Sequence, residues 1–268
     1  MPARVITVTS GKGGVGKTTT TANLGVALAK LSKRVVVIDS DIGLRNLDIV
    51  MGLQNRIIYD VVDLVEGRCR IRQALIRDRL LEELYLLPAA QSREKSAVSP
   101  ADMVRICEQL RGECDFVLID SPAGIELGFR NAVAAADEFV LVTTPDTSSV
   151  QDVDRVLGLL EAEGHSRTGL IINRIRPELV RRSEMLSPSQ VLGMLEITLL
   201  GLVPDDEAIL VSNNRGLPIA HDARSLAGKA YNNLARRLLG ERVPFVPILE
   251  CRQGLLERLG LRSRQRSS

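Results

Sequence analysis

Short runs of β-branched and apolar residues alternate along the chain with stretches whose apolar positions recur at helical spacing. Residues 5–9 (VITVT), 35–39 (VVVID), 84–88 (LYLLP), 116–120 (FVLID), 139–144 (FVLVTT), 169–173 (GLIIN) and 199–203 read as strands. They are apolar along their length rather than alternating, which predicts burial on both faces. Helical patterns lie between them, for example at residues 18–31, 101–111, 149–163 and 225–239. Continuous apolar strands separated by helices predict an α/β fold, doubly wound, with a mostly parallel sheet and helices on both faces. The segment from about residue 55 to residue 99 is the least regular, and there is no internal repeat. Pro244 and Pro247 break any helix in ERVPFVPIL, so residues 243–268 are expected to form a linker and tail beyond a body of residues 1–242. The closing RSRQRSS is expected to be disordered.

Composition narrows the class. The 268 residues are 45% apolar and 25% charged, as in ordinary globular chains. No apolar run approaches the roughly 18 residues of a membrane span, although a membrane-surface protein is still allowed. The start, MPARVITVTS, lacks an apolar core and cleavage site, so no secretory signal is expected. No two of Cys69, Cys107, Cys114 and Cys251 form a CxxC pair, so the usual iron–sulfur and zinc spacings are missing and a reduced, cytoplasmic setting is expected. Charge is uneven. Residues 252–268 hold five arginines and one acid, net +4, while the rest carries 30 basic and 32 acidic residues, net −2. A broad nucleic-acid surface on the body is therefore not expected, and the tail calls for an anionic partner.

The strongest chemical signal is Gly11-Lys12-Gly13-Gly14-Val15-Gly16-Lys17-Thr18, which fits GxxxxGK[ST] after the first strand and before the first helix. Successive backbone N–H groups in such a loop make a concave anion site, reinforced by the helix N-terminus. Lys17 is expected to bridge the β- and γ-phosphates of a nucleotide, Thr18 to ligate Mg²⁺, and Thr19 to meet the α-phosphate. Lys12 cannot easily fold back onto its own nucleotide, so a partner subunit's phosphate is its more natural target. Asp120 ends an apolar strand in Walker B form and is expected to hold Mg²⁺ through water, with Gly124 offering a backbone N–H to the γ-phosphate. A helix N-cap or turn is the structural alternative for any aspartate after a strand.

GKGGVGKT is the deviant Walker A sequence of the MinD/ParA family of dimerising ATPases, which this chain resembles over nearly its whole length. GLRNLD after the second strand, DSPAGIE and the basic leucine-bearing tail are similar to the MinD branch of that family. The resemblance implies ATP and Mg²⁺ as ligands. It implies a nucleotide-sandwich homodimer in which Lys12 reaches the other subunit's phosphates. It gives Asp39 a place in the magnesium shell and Asp41 the positioning of the attacking water, so that Lys12, Lys17, Asp41 and Asp120 carry the catalysis. It places Asn173, Pro204, Asp205 and Asp206 around the adenine; a turn residue is the alternative for Asn173 and a helix cap for Asp205. It implies an inhibitory cargo like MinC, an activator like MinE, and a role in choosing the division site of a cell or plastid.

In the tail, Leu255, Leu256 and Leu259 share one helical face, and Arg258 and Arg262 reach toward lipid phosphates. One copy is expected to bind an anionic membrane weakly and two copies in a dimer strongly, which turns ATP-driven dimerisation into a switch between the cytoplasm and the inner membrane face. A frayed helix on its own body or a nucleic-acid tail is the plainer alternative. DNA is not an expected partner, since a partition ATPase would need basic patches that a body of net −2 does not offer. The missing CxxC argues against an iron–sulfur scaffold, and the absence of tyrosine after Tyr231 against a tyrosine autokinase. His165 and His221 lack ligand spacing, Ser121 lies outside a GxSxG elbow, and residues 93–95 read as a solvated loop. Residues 151–160 read as an exposed helix open to a partner.

Overall fold

Strands that are apolar on both faces need cover on both faces, and the chain supplies it. A computed structural model describes residues 2–248. Its strands are β1 (Arg4–Thr9), β2 (Val35–Asp39), β3 (Ile76–Arg77), β4 (Leu84–Leu87), β5 (Phe116–Asp120), β6 (Glu138–Thr143), β7 (Thr168–Ile175) and β8 (Thr198–Pro204). They form one sheet in the order β3-β4-β2-β5-β1-β6-β7-β8. Every pairing is parallel except β3 with β4. The helices are α1 (Lys17–Ala29), α2 (Leu47–Val50), α3 (Val61–Val65), α4 (Ile71–Ala74), α5 (Pro100–Leu110), α6 (Leu127–Ala134), α7 (Thr147–Ala162), α8 (Pro177–Arg181), α9 (Pro188–Met194), α10 (Glu207–Asn214) and α11 (Leu226–Leu238).

Successive strand residues feed opposite layers, as a pleated strand requires. Val35, Val37, Phe116 and Leu118 join the layer that holds α1 and α11, while Val36, Ile38, Val117 and Ile119 join the layer that holds α5 and α6. Helix α1 is buried almost all round because α11 covers its outer side. On its inner side Gly25 lets α1 lie close to the sheet, since a Cβ there would stand 2.8 Å from Val37 of β2. Helix α11 turns Ala227, Ala230, Tyr231, Leu234 and Leu238 inward, and the Tyr231 hydroxyl lies 3.5 Å from Thr20 Oγ1.

Two expectations need revision. The irregular segment contains α3, α4 and an antiparallel edge strand, β3, whose two residues are too few to leave a periodic signal. The linker expected from residue 243 stays on the body as far as residue 248. Val246 and Ile248 are buried in the core, and Arg237 donates to the carbonyls of Val243 and Pro244. Proline excludes helix from this stretch but does not prevent extended chain from packing. The tail residues Leu255, Leu256, Arg258, Leu259 and Arg262 lie outside the described residues. No helix among the described residues is long and apolar enough to cross a membrane.

Candidate nucleotide-binding site

The parallel register brings three strand ends to one edge. Asp120 at the end of β5 stands beside Val8 of β1 and directly opposite Asp39 of β2. The loop of residues 10–16 leaves β1 at this edge and delivers Lys17 as the first residue of α1. Gly14 and Gly16 have φ of +77° and +103°, backbone that strongly favours glycine and lets the loop curl. Gly16 has a second constraint, because a Cβ there would collide with the Asn173 side-chain amide.

Lys17 is buried, and its Nζ donates to Ser10 Oγ at 3.1 Å and the Lys12 carbonyl at 3.4 Å. Burial pulls the ammonium below the usual lysine range, and Asp120 and Asp41 oppose that shift. Asp120 accepts from Thr21 Oγ1 at 3.3 Å. Burial pushes its carboxyl up, the neighbouring Asp39 pushes it further, and Thr18, Lys17 and Thr21 hold it back. Asp39 is also raised by burial, although the backbone N–H groups of Asp41, Asn46 and Leu47 donate to it at 3.0, 3.2 and 3.1 Å. Asp41 is half-buried and raised by desolvation, with Lys95 and Lys17 acting the other way. Two buried carboxyls facing each other beside threonine hydroxyls are a hard-oxygen donor set with surplus negative charge, which fits Mg²⁺. Among the described residues no group of three or more His, Cys, Asp and Glu side chains is arranged to hold a metal. Mg²⁺ does not require such a cage, because it keeps waters and binds substrate phosphates.

The other predicted residues are found in more mixed roles. Lys12 is exposed and donates to Ser148 Oγ at 2.9 Å, and Ser148 donates to Asp146 Oδ1 at 3.0 Å. In the single chain this lysine therefore rests on the start of α7. Thr19 Oγ1 accepts from Asn213 Nδ2 at 3.1 Å. Gly124, with φ of +87°, lies in the loop after Asp120. Asn173 is buried; its Nδ2 donates to the Val15 carbonyl at 2.8 Å and its Oδ1 accepts from Arg174 N. The β7–β8 register is irregular between Ile172 and Ile175, and Arg174 has φ of +57° there. This local distortion accompanies the turn of Asn173 toward the phosphate loop. Pro204 is buried at the end of β8, Asp205 pairs with Arg176, and Asp206 caps α10 by accepting from Ala208 N at 2.9 Å. The capping alternative raised for Asp205 thus belongs to Asp206. Ser10, Thr21, Asn213 and the Asp146–Ser148 pair escaped the sequence reading, because single hydroxyls and amides carry no spacing signal. Lys95 is exposed, as expected of a solvated loop, and its charge still opposes the rise of the Asp41 carboxyl.

Comparison with known proteins gives the family. Residues 6–219 match the CobQ/CobB/MinD/ParA nucleotide binding domain. The septum site-determining protein MinD of Synechocystis is 51% identical over 257 residues, covering 96% of this chain and 97% of that protein. The solved MinC:MinD cell division protein complex of Aquifex aeolicus contains a chain 45% identical to this one, with a TM-score of 0.85 over 90% of this chain and 98% of that one. The septum site-determining protein MinD of Pyrococcus horikoshii, solved with Mg-ADP, is 30% identical, with a TM-score of 0.80 over 88% of this chain and 96% of that one. A phosphate loop, a buried carboxylate pair at the same sheet edge and these full-length likenesses lead to one conclusion: the chain belongs to the MinD branch of the CobQ/CobB/MinD/ParA family of nucleotide-binding ATPases.

Proposed function

We propose that this chain is an ATP-dependent, dimerising, membrane-binding ATPase that helps position the division site. The observation that carries this reading is the convergence of Lys17, Asp39, Asp41 and Asp120 on the glycine-rich loop at one sheet edge. Backbone N–H groups of residues 11–18 cradle the phosphates, and Lys17 neutralises charge between the β- and γ-phosphates. Thr18, Asp120 and Asp39 are the groups that would hold Mg²⁺, which would supply positive charge to the phosphate oxygens. Asp41 orients a water in line with the γ-phosphorus, and ADP leaves with its bridging oxygen as water adds. Asn173, Pro204, Asp205 and Asp206 line the base side, Asn173 through the one amide N–H and the one lone pair that Val15 and Arg174 leave free.

Lys12 supplies the charge that one chain cannot give itself. It leaves Ser148 and reaches the phosphates of a second subunit, in the manner of an arginine finger. The dimer presents two tails to an anionic membrane at the inner face of the cell, recruits an inhibitor like MinC, and is released when an activator like MinE stimulates hydrolysis. A Mg-ADP complex and a MinC complex among similar proteins support the cofactor and inhibitor parts of this reading.

Light scattering with MgATP and a hydrolysis assay test it. Lys12→Ala should bind ATP but stay monomeric. Asp41→Ala should dimerise yet hydrolyse at least tenfold more slowly, about 1.4 kcal/mol in the barrier. A Lys12→Ala chain that dimerised normally would remove the trans role.

A further inference from the structure

We infer that the edge of the body reached by residues 243–248 is itself a lipid-contacting surface, with Phe245 as its aromatic anchor. This deepens the membrane reading above and rests on it. Burial alternates over residues 245–248, exposed at Phe245 and Pro247 and buried at Val246 and Ile248. Val246 and Ile248 enter the core, while Phe245 is 41% exposed beside exposed Pro244 and Pro247. The other three phenylalanines, Phe116, Phe129 and Phe139, are all buried. Placing the larger ring outward and smaller aliphatics inward leaves apolar surface in water unless a partner covers it.

The ring is held firmly from below. The Arg237 guanidinium lies 4.2 Å from its centroid and donates to the carbonyls of Leu200, Val243 and Pro244 at 2.9, 2.9 and 2.7 Å. A preorganised ring loses little freedom when it enters an interface. The surroundings favour anions. Arg242 is exposed and makes no ion pair among the described residues. In a neighbouring cleft of about 380 Å³, Arg4 is paired with Glu138 and Arg237 is committed to backbone carbonyls, which leaves the exposed Arg167 without an ion pair among the described residues. An aromatic ring at the depth of lipid glycerol with arginines toward phosphate is the arrangement a lipid–water boundary stabilises. Position supports the same partner, since residues 249–268, net +3 with no aromatic of their own, follow immediately. The body thus supplies the aromatic anchor that the tail lacks.

The chain has no tryptophan, so Phe245→Trp places a single reporter at this point in the full chain. It is read with MgATP and vesicles of equal parts phosphatidylcholine and phosphatidylglycerol. The emission should move to shorter wavelength and be quenched by brominated acyl chains. Phe245→Ser should bind the vesicles about fivefold more weakly and hydrolyse ATP normally without them. If Phe245→Trp pellets with vesicles while its emission stays as in solution, and Phe245→Ser pellets like the unsubstituted chain, this inference fails and the membrane reading stands. If the unsubstituted chain does not pellet, the membrane reading fails and this inference with it.

Discussion

Lys17, Asp39 and Asp120 are ionisable groups placed where water is largely excluded, and their stability cost follows from that position. Both carboxyls are held above the ordinary 3.8, so over the range just above that value the folded empty chain keeps protons that the unfolded chain has released. Their contribution is full below the unfolded value and is lost as pH rises through the folded values, so the empty chain should melt lower as pH rises toward mild alkalinity. Asp120→Asn removes one member of the like-charge pair. Without nucleotide it should melt roughly 2–4 °C higher near pH 8 for each kcal/mol relieved, with a flatter pH dependence. It should also lose magnesium-dependent ATP binding. Thermal unfolding of both chains at acid and mildly alkaline pH decides this; identical pH slopes would show that the pair is not strained. The sequence identified these residues as chemical, since an aspartate closing an apolar strand has a recognisable form. It did not show that Asp39 is tied to three backbone N–H groups, because those donors come from the turn that leads into α2.

Among the elements, the long helices and the apolar strands were legible, and the short helices and β3 were not. Helices α1, α5, α7 and α11 and strands β1, β2, β4, β5, β6, β7 and β8 lie within two residues of the expected bounds, because the helices repeat their period several times and the strands are unbroken apolar runs. Strand β3 forms because β4 offers it an edge, a condition absent from its own two residues. The extended residues 243–248 illustrate the opposite error, since two prolines correctly excluded helix and wrongly suggested departure from the body. Val246 and Ile248 are 8% and 5% exposed. A chain ending at residue 242 should therefore be less stable than one ending at residue 248 by on the order of 3 kcal/mol, at about 1.5 kcal/mol or more for each buried side chain. Urea unfolding of the two truncations measures the difference, and equal midpoints would mean that the contact contributes nothing.

For the whole molecule, the proposed switch multiplies two weak events, nucleotide-dependent pairing and membrane contact by each copy. Sedimentation with anionic vesicles in MgATP and MgADP should show strong pelleting only for the full chain with ATP, and far less for a chain ending at residue 248, which keeps Phe245 but lacks the tail. Pelleting that ignored the nucleotide would break the link between pairing and membrane contact. The sequence by itself determined the parallel α/β architecture, the phosphate loop and the aspartates at strand ends, because these depend on period and on contiguous motifs. Only the tertiary structure decided that Asp39 faces Asp120, that Asn173 grips the phosphate loop, that Lys12 rests on Ser148, and that Phe245 faces outward over Arg237. Those four contacts join residues brought together by strand register and helix packing, or turned outward by the pleat. Local sequence fixes which side chains are available; chain crossings fix which of them meet.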